Sequence, residues 1–218
     1  MPKVSSVEPQ KKNPKRFNIF LDGQFAFGAD QDLVVDHRLV VGKILDASDV
    51  EKLLSEAEIG KLMERMYGLF NIRQRSEEEV RRYLRNLSFK RKIKDKEEIS
   101  DTVTESLVNR LKQKRLLNDE QFAKSWVEAR SKKKGKIALK AELIQKGINR
   151  EIIDEVMSGG VTNESQGQVA EKLLNKKMAR WKNLLPLEFR KKAYEFLLRR
   201  GFEYEVVREI VENLTKKG

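Results

Sequence analysis

A repeat with a period of 54 residues constrains the fold of this 218-residue chain more than any other feature. The two copies read LIQKGINREIIDEVM (143–157) and LLRRGFEYEVVREIV (197–211), with Gly147 and Gly201 at the same place in each. Apolar residues follow the glycine at five, six and nine positions, which is one face of a helix. Each copy therefore predicts the end of one helix, a glycine turn and a second amphipathic helix.

A looser copy precedes these two, with the insertion SFKRKIKDKEE in place of the single glycine. Start signals for helices recur from about residue 49 onward, and the pattern there predicts about nine helices. These signals are Ser48 with Glu51, Ser76 with Glu79, Asp95 with Glu98, Asn118 with Gln121, Asn149 before Ile152, and Asn163 with Gln166. The sequence predicts a mainly α fold in which tandem three-helix repeats, 49–110, 111–160 and 163–216, form an elongated curved body.

Residues 1–48 predict a small β/α unit of a different kind. Apolar residues alternate with polar ones on both sides of Asp22-Gly23 in RFNIFLDGQFAFG, and Asp-Gly suits the positive φ angles of a type I′ hairpin turn. Val4 and Val7 predict a third strand at an edge of the sheet. The stretch DQDLVVDHRLVVGK predicts a short helix that ends near Gly42.

The composition argues against an enzyme. The chain has no cysteine and a single histidine, His37, so transition-metal and thiol chemistry are disfavoured. GQFAFGAD lacks the Lys-Ser/Thr of a P-loop, and the acidic clusters lie at predicted helix starts, where capping explains them. We expect no cofactor. The absence of cysteine, of an apolar leader and of a long apolar run predicts a cytoplasmic protein that does not enter a membrane.

The net charge of +12 points to a polyanion or an acidic partner, because it is concentrated in the helical region. Residues 73–96 hold 10 basic and 4 acidic residues, 124–146 hold 8 and 2, and 172–200 hold 10 and 2. We expect these segments to form one basic stripe, against the alternative of an ordinary solvated surface. The candidate partner-binding residues are Arg73, Arg75, Arg81, Arg82, Arg130, Lys132, Lys133, Lys134, Lys136, Lys140, Arg180, Lys191 and Lys192.

Three segments resemble, in order, the three repeats of the bacterial RecX family: YGLFNIRQRSEEEVRRYL, RLLNDEQFAKSWVEARSKKKGKIALKAELIQKGI and RKKAYEFLLRRGFEYEVVREIV. The resemblance implies an all-α tandem-repeat protein that modulates the RecA recombinase in recombination and the SOS response. It implies binding in the groove of the RecA–DNA filament, and restraint of ATP hydrolysis, strand exchange and repressor cleavage. Some members also bind DNA directly. We expect a monomer.

A second function stays open at this point. Three-helix units also occur in helix-turn-helix proteins, so the chain is alternatively an autonomous DNA-binding protein or transcriptional regulator. Dependence on the partner separates the two functions. A free DNA binder keeps its affinity without RecA, whereas a filament modulator binds the filament far better than bare DNA and changes its ATP turnover.

Overall fold

An antiparallel sheet forms the N-terminal part of the chain in the computed structural model, which describes residues 1–11 and 13–216. Its strands, in the spatial order β1-β2-β3, are β1 (Val4–Gln10), β2 (Asn13–Leu21) and β3 (Gln24–Asp30). Asp22 and Gly23 have φ angles of 48° and 83°, as a type I′ turn requires, so the predicted hairpin is confirmed. The predicted edge strand is also present, as β1.

Ten helices follow the sheet within the described residues: the short helix predicted in the N-terminal unit and nine more from Ala47 onward, as the pattern predicted. They are α1 (Gln31–Asp36), α2 (Ala47–Ile72), α3 (Glu77–Lys92), α4 (Asp101–Gln113), α5 (Asp119–Ser131), α6 (Lys136–Gln145), α7 (Arg150–Gly160), α8 (Asn163–Trp181), α9 (Pro186–Leu198) and α10 (Tyr204–Lys216). The fold class is confirmed: a mainly α protein of tandem three-helix units with a small N-terminal sheet.

The chain divides into two units. The first comprises Met1–Gln74 and Arg81–Leu117, and the second comprises Arg75–Val80 and Asn118–Gly218. The division falls within α3, whose first turn belongs to the second unit. The second unit also holds two complete sets of three helices, which we call module 2 (α5–α7) and module 3 (α8–α10).

The repeated apolar positions form the cores of these two modules. Leu143 and Ile153 are 0% and 2% exposed in module 2, and the matching Leu197 and Val207 of module 3 are both 0% exposed. Ile152 is only partly buried beside this core, so the pair Ile152-Ile153 contributes mainly through its second member. Burial at matching positions follows from the 3.6-residue period of both copies.

The predicted helix starts at Ser76, Asn118 and Asn149 are confirmed by hydrogen bonds from backbone amides in the first turn to those side chains. The end of α1 was predicted wrongly. This helix ends at Asp36, and its C-cap His37 donates its amide proton to the carbonyl of Leu33, well before Gly42.

Three other predicted starts were also wrong. Asp46 and Asp49 form the capping box of α2, instead of Ser48 with Glu51. Ser100 caps α4, whereas Asp95 has a φ of 50° and lies in the turn that ends α3. Thr162 caps α8 in place of Asn163. In each case an alternative cap residue within a few positions offered the same side-chain chemistry.

Candidate functional site

The lysine run of the sequence forms the connection between α5 and α6, and we call Lys132–Lys136 the basic loop. Lys132 is the C-cap of α5, and the amides of Lys133 and Lys134 both donate to the carbonyl of Arg130. Gly135 then adopts extended backbone as the N-cap of α6 and offers no side-chain cap. The loop is therefore a tight helix–helix turn.

Module 3 holds the far end of the basic loop. The amide of Gly135 donates to the carbonyl of Arg200 at 2.9 Å, and the amide of Ile137 donates to that of Gly201 at 2.9 Å. In return, Nη1 of Arg200 donates to the carbonyl of Lys133 at 3.1 Å. The amide of Lys136 donates to Oε1 of Gln166, on α8, at 2.9 Å. A buried side chain of module 3 thus caps a helix of module 2.

The same arrangement occurs where the first turn of α3 meets module 2. The hydroxyl of Ser76 donates to the carbonyl of Lys146 at 2.7 Å, and the amide of Glu77 donates to Oδ1 of Asp119 at 2.8 Å. At each junction the start of one helix, α6 or α3, hydrogen-bonds to the glycine turn of the module that follows it. A side chain from the first helix of that module then accepts a backbone amide proton that has no partner within its own helix. The repeat glycines mark these junctions.

The carboxylate of Glu142, on α6, accepts hydrogen bonds from two cations at or next to the start of the basic loop. Its Oε1 accepts from Nη2 of Arg130 at 3.0 Å and from Nζ of Lys134, and its Oε2 accepts from Nε1 of Trp126 at 2.9 Å. Nε of Arg130 lies 2.7 Å from the same Oε2, an ion-pair contact without a hydrogen bond. The guanidinium carbon also lies 4.9 Å from the centre of the Trp126 ring.

This cluster controls the ionisation of Glu142. Its side chain is 16% exposed, and burial alone would raise the pKa of the carboxyl. The hydrogen bonds from Lys134, Arg130 and Trp126 outweigh burial, and the pKa is lowered from its ordinary value of 4.5. Glu142 is therefore a carboxylate at neutral pH.

The lowered pKa predicts a pH dependence of stability. A carboxyl whose pKa is lower in the folded state contributes stability above its unfolded pKa and loses it as pH falls through the folded value. We expect the wild-type protein to exceed the variant Glu142→Gln in free energy of unfolding at pH 7, and this difference to shrink as pH falls below the ordinary pKa of 4.5. Denaturant titrations at several pH values measure it. A difference that stays constant with pH would contradict the assignment.

The remaining candidate residues have varied surroundings. Arg81 makes a two-pronged pair with Glu105, Lys140 pairs with Asp154 at 2.7 Å, and Lys136 lies 3.9 Å from Glu203. Arg75 is half-buried. The exposed candidates are Arg73, Arg82, Lys132, Lys133, Arg180, Lys191 and Lys192.

The structure brings five of the candidates together at one place, from Arg130 to Lys136. Arg180 lies in the last turn of α8, and Lys191 and Lys192 lie on α9. The candidates between Arg73 and Arg82 are divided between the two units. A single basic stripe through all of these segments stays a prediction.

Sequence reasoning missed Arg200. Its guanidinium lies 4.5 Å from the centre of the Phe196 ring and reaches the carbonyl of Lys133, so it adds a cation to the basic loop from module 3. The signal was present, because Arg200 directly precedes the repeat glycine Gly201, as Lys146 precedes Gly147.

No group of three or more His, Cys, Asp or Glu side chains in residues 1–11 and 13–216 is arranged to hold a metal ion. The lone His37 instead contacts Oε2 of Glu56 at 2.9 Å. None of the helices in the described part of the chain is both long enough and apolar enough to cross a membrane.

The fold and the junctions define the class: a helical tandem-repeat protein whose modules share caps and present cations from an interhelical loop. Family models match three parts of the chain. They are described as the regulatory protein RecX N-terminal domain (residues 2–46), the RecX second three-helix domain (118–157) and the RecX third three-helix domain (164–211).

Curated relatives agree with these matches. The regulatory protein RecX of Bacillus velezensis is 35% identical over 214 residues, which cover 97% of this chain and 77% of the relative. That of Bacillus subtilis is 33% identical, covering 98% and 78%. That of Clostridium perfringens (strain SM101) is 27% identical, covering 99% and 97%. The chain belongs to the RecX family of regulatory proteins.

Solved structures support the same fold. A crystal structure of regulatory protein RecX superimposes with a TM-score of 0.71 at 27% identity, covering 97% of this chain and 100% of that one. The crystal structure of RecX from Lactobacillus salivarius has a TM-score of 0.61 at 24% identity, covering 72% and 96%. This second likeness bears on the fold alone.

Proposed function

We propose that this chain is a non-enzymatic regulator that binds the RecA–DNA filament and restrains its ATPase, strand-exchange and coprotease activities. Membership of a family of regulatory proteins supports a regulatory role, and the RecX resemblance supplies the partner. One structural observation carries the proposal furthest. The exposed Lys132 and Lys133 extend from a loop whose backbone is held by module 3.

A fixed loop suits this role for an energetic reason. Ordering a flexible segment on binding costs conformational entropy, and a loop already held at both ends avoids much of that cost. Lys132 and Lys133 then present two ammonium groups to phosphates or carboxylates on the filament. Contacts of this kind speed encounter and weaken with salt.

The test is a titration of the protein into RecA on single-stranded DNA while ATP turnover is measured. We expect the wild-type protein to lower turnover at substoichiometric amounts. We expect the double variant Lys132→Glu/Lys133→Glu to need about tenfold more protein, because two surface charge contacts are reversed. Lys134 and Lys136 are left intact because both form internal ion pairs.

The matched control is Lys11→Glu/Lys15→Glu, which makes the same change in net charge at exposed positions of the N-terminal part. We expect this control to act like the wild-type protein. If both variants lose the same amount of their effect on ATP turnover, only the net charge of the protein matters. If the wild-type protein leaves ATP turnover unchanged, the proposed function is wrong.

The exposed lysines also favour a second candidate, an autonomous DNA-binding protein. That function predicts tight binding to DNA without RecA and an affinity that falls steeply with salt. Binding measured with and without the recombinase separates the two. Affinity for bare DNA equal to that for the filament would favour the second candidate.

A further inference from the structure

The cations of the basic loop and its flanks are not equivalent. Arg130 and Lys134 are bound to the carboxylate of Glu142, whereas Lys132 and Lys133 are exposed at the tip of the turn. Lys133 and Lys134 are neighbours in sequence, yet one extends into solvent and the other lies in an ion cluster. The number of cations that a ligand meets is therefore smaller than the number that the sequence displays.

We propose that Glu142 is an internal counter-ion that determines which cations of the basic loop and of the adjoining end of α5 a polyanion contacts: Lys132 and Lys133 are available, and Arg130 and Lys134 are bound to Glu142. This inference rests on the part of the proposed function in which the basic loop meets phosphates. It assigns a specificity-determining role to an acidic residue on a surface recognised by its positive charge.

The cluster resists displacement by an incoming phosphate. Glu142 is 16% exposed and accepts hydrogen bonds from three side chains. Withdrawing Arg130 and Lys134 would leave this carboxylate partly buried without its counter-charges, which is unfavourable. Arg130 is held in addition by its contact with the face of the Trp126 ring. Lys132 and Lys133 need no such exchange of partners.

The assignment has a measurable consequence in the salt dependence of DNA binding. Each phosphate neutralised on a single strand contributes about 0.7 to the slope of log affinity against log salt. A cation bound to Glu142 contributes nothing to that slope. Freeing two cations should therefore steepen the slope by up to about 1.4.

The first experiment compares two neighbouring residues. Binding of the full chain to an oligothymidylate is measured by fluorescence anisotropy over a range of salt concentrations. We expect Lys133→Gln to lower the slope by about 0.7 and Lys134→Gln to leave it unchanged. Both positions lie in the turn, so neither substitution removes a core contact. An equal decrease of the salt-dependence slope in the two variants would overturn the proposal.

The second experiment removes the counter-ion. We expect Glu142→Gln to steepen the slope by up to about 1.4 and to strengthen binding at low salt. Glu128→Gln is the matched control, because Glu128 is an exposed glutamate of α5 whose substitution makes the same change in net charge. We expect it to leave the slope unchanged. A slope that is unchanged or shallower in Glu142→Gln would show that Glu142 only positions the loop.

These outcomes are independent of the effect on the recombinase. If the wild-type protein lowers ATP turnover but Lys133→Gln and Lys134→Gln behave alike on DNA, the proposed function stands and the role of Glu142 is wrong. If the two lysines differ on DNA while ATP turnover is unaffected, the role of Glu142 stands and regulation of RecA fails. A wild-type protein that does not bind the oligothymidylate overturns the inference directly.

Discussion

Substitution of Gly201 by alanine is expected to destabilise the second unit by about 2–5 kcal/mol, for two reasons that add. The φ angle of Gly201 is +80°, where an L-residue costs about 1–2 kcal/mol. A Cβ at this position would also lie 2.3 Å from the amide nitrogen and 2.4 Å from the Cβ of Ala138, and such overpacking costs about 1–3 kcal/mol. Relief of the overlap would pull the basic loop away from module 3.

Tryptophan fluorescence measures this effect selectively, because both tryptophans of the chain, Trp126 and Trp181, lie in the second unit. The control is Gly159→Ala, since a Cβ at Gly159 has no atom within 4 Å. Within helix α7 this exchange should leave stability unchanged or raise it by up to about 1 kcal/mol. Equal midpoints for the two variants in denaturant would mean that the close approach at Gly201 is not structurally required.

Truncation of Leu143 is expected to have an effect of similar size. Leu143 is 0% exposed in the core of module 2, and a buried leucine replaced by alanine loses apolar burial and leaves a cavity. We expect Leu143→Ala to lower the free energy of unfolding by about 2–5 kcal/mol. The adjacent Ile144 is 55% exposed, so Ile144→Ala should change it by less than about 0.5 kcal/mol.

The same fluorescence measurement checks this pair. Two neighbouring residues of one helix are compared, so differences in helix propensity stay small beside the cavity term. Similar losses of unfolding free energy in Leu143→Ala and Ile144→Ala would mean that the buried face of this helix is assigned wrongly. The alignment of the 54-residue repeat would then be wrong as well.

Much of the fold was predictable from local sequence, because helix periodicity and glycine turns depend on residues close together in the chain. The repeat predicted the buried Leu143 and Leu197 and the turns at Gly147 and Gly201. Cap residues were less certain. Asp46-x-x-Asp49 and Ser48-x-x-Glu51 overlap, and only the second has the Glu or Gln of the usual capping-box pattern, so the sequence favours the pair that the structure does not use.

Gln166 shows why other features escaped prediction. It was interpreted as part of the capping signal of its own helix, but its side chain accepts the amide proton of Lys136, thirty residues earlier. An interaction between modules leaves no local pattern. The buried state of Gln166, 3% exposed, reflects a partner that only the folded arrangement supplies.

The position of the candidate site could be predicted from the sequence, but which of its lysines pairs with Glu142 could not. The basic composition located Lys132–Lys136, because charge density is visible in the sequence. The difference in exposure between Lys133 and Lys134 depends on Glu142, which lies on the following helix α6, and on the direction in which the loop leaves α5. A run of identical side chains contains no information about which member turns inward.

The hydrogen bonds that cross from Gln166 and Arg200 to the start of α6 bear on how the protein opens as well as on how it is built. The amides of Lys136 and Ile137 donate to acceptors that belong to module 3, so we expect these bonds to slow their hydrogen exchange. Their exchange rates should therefore follow the opening of module 3 as closely as that of their own helix. Unfolding of one module by force or heat therefore destabilises the next, as nearest-neighbour coupling in a repeat array requires.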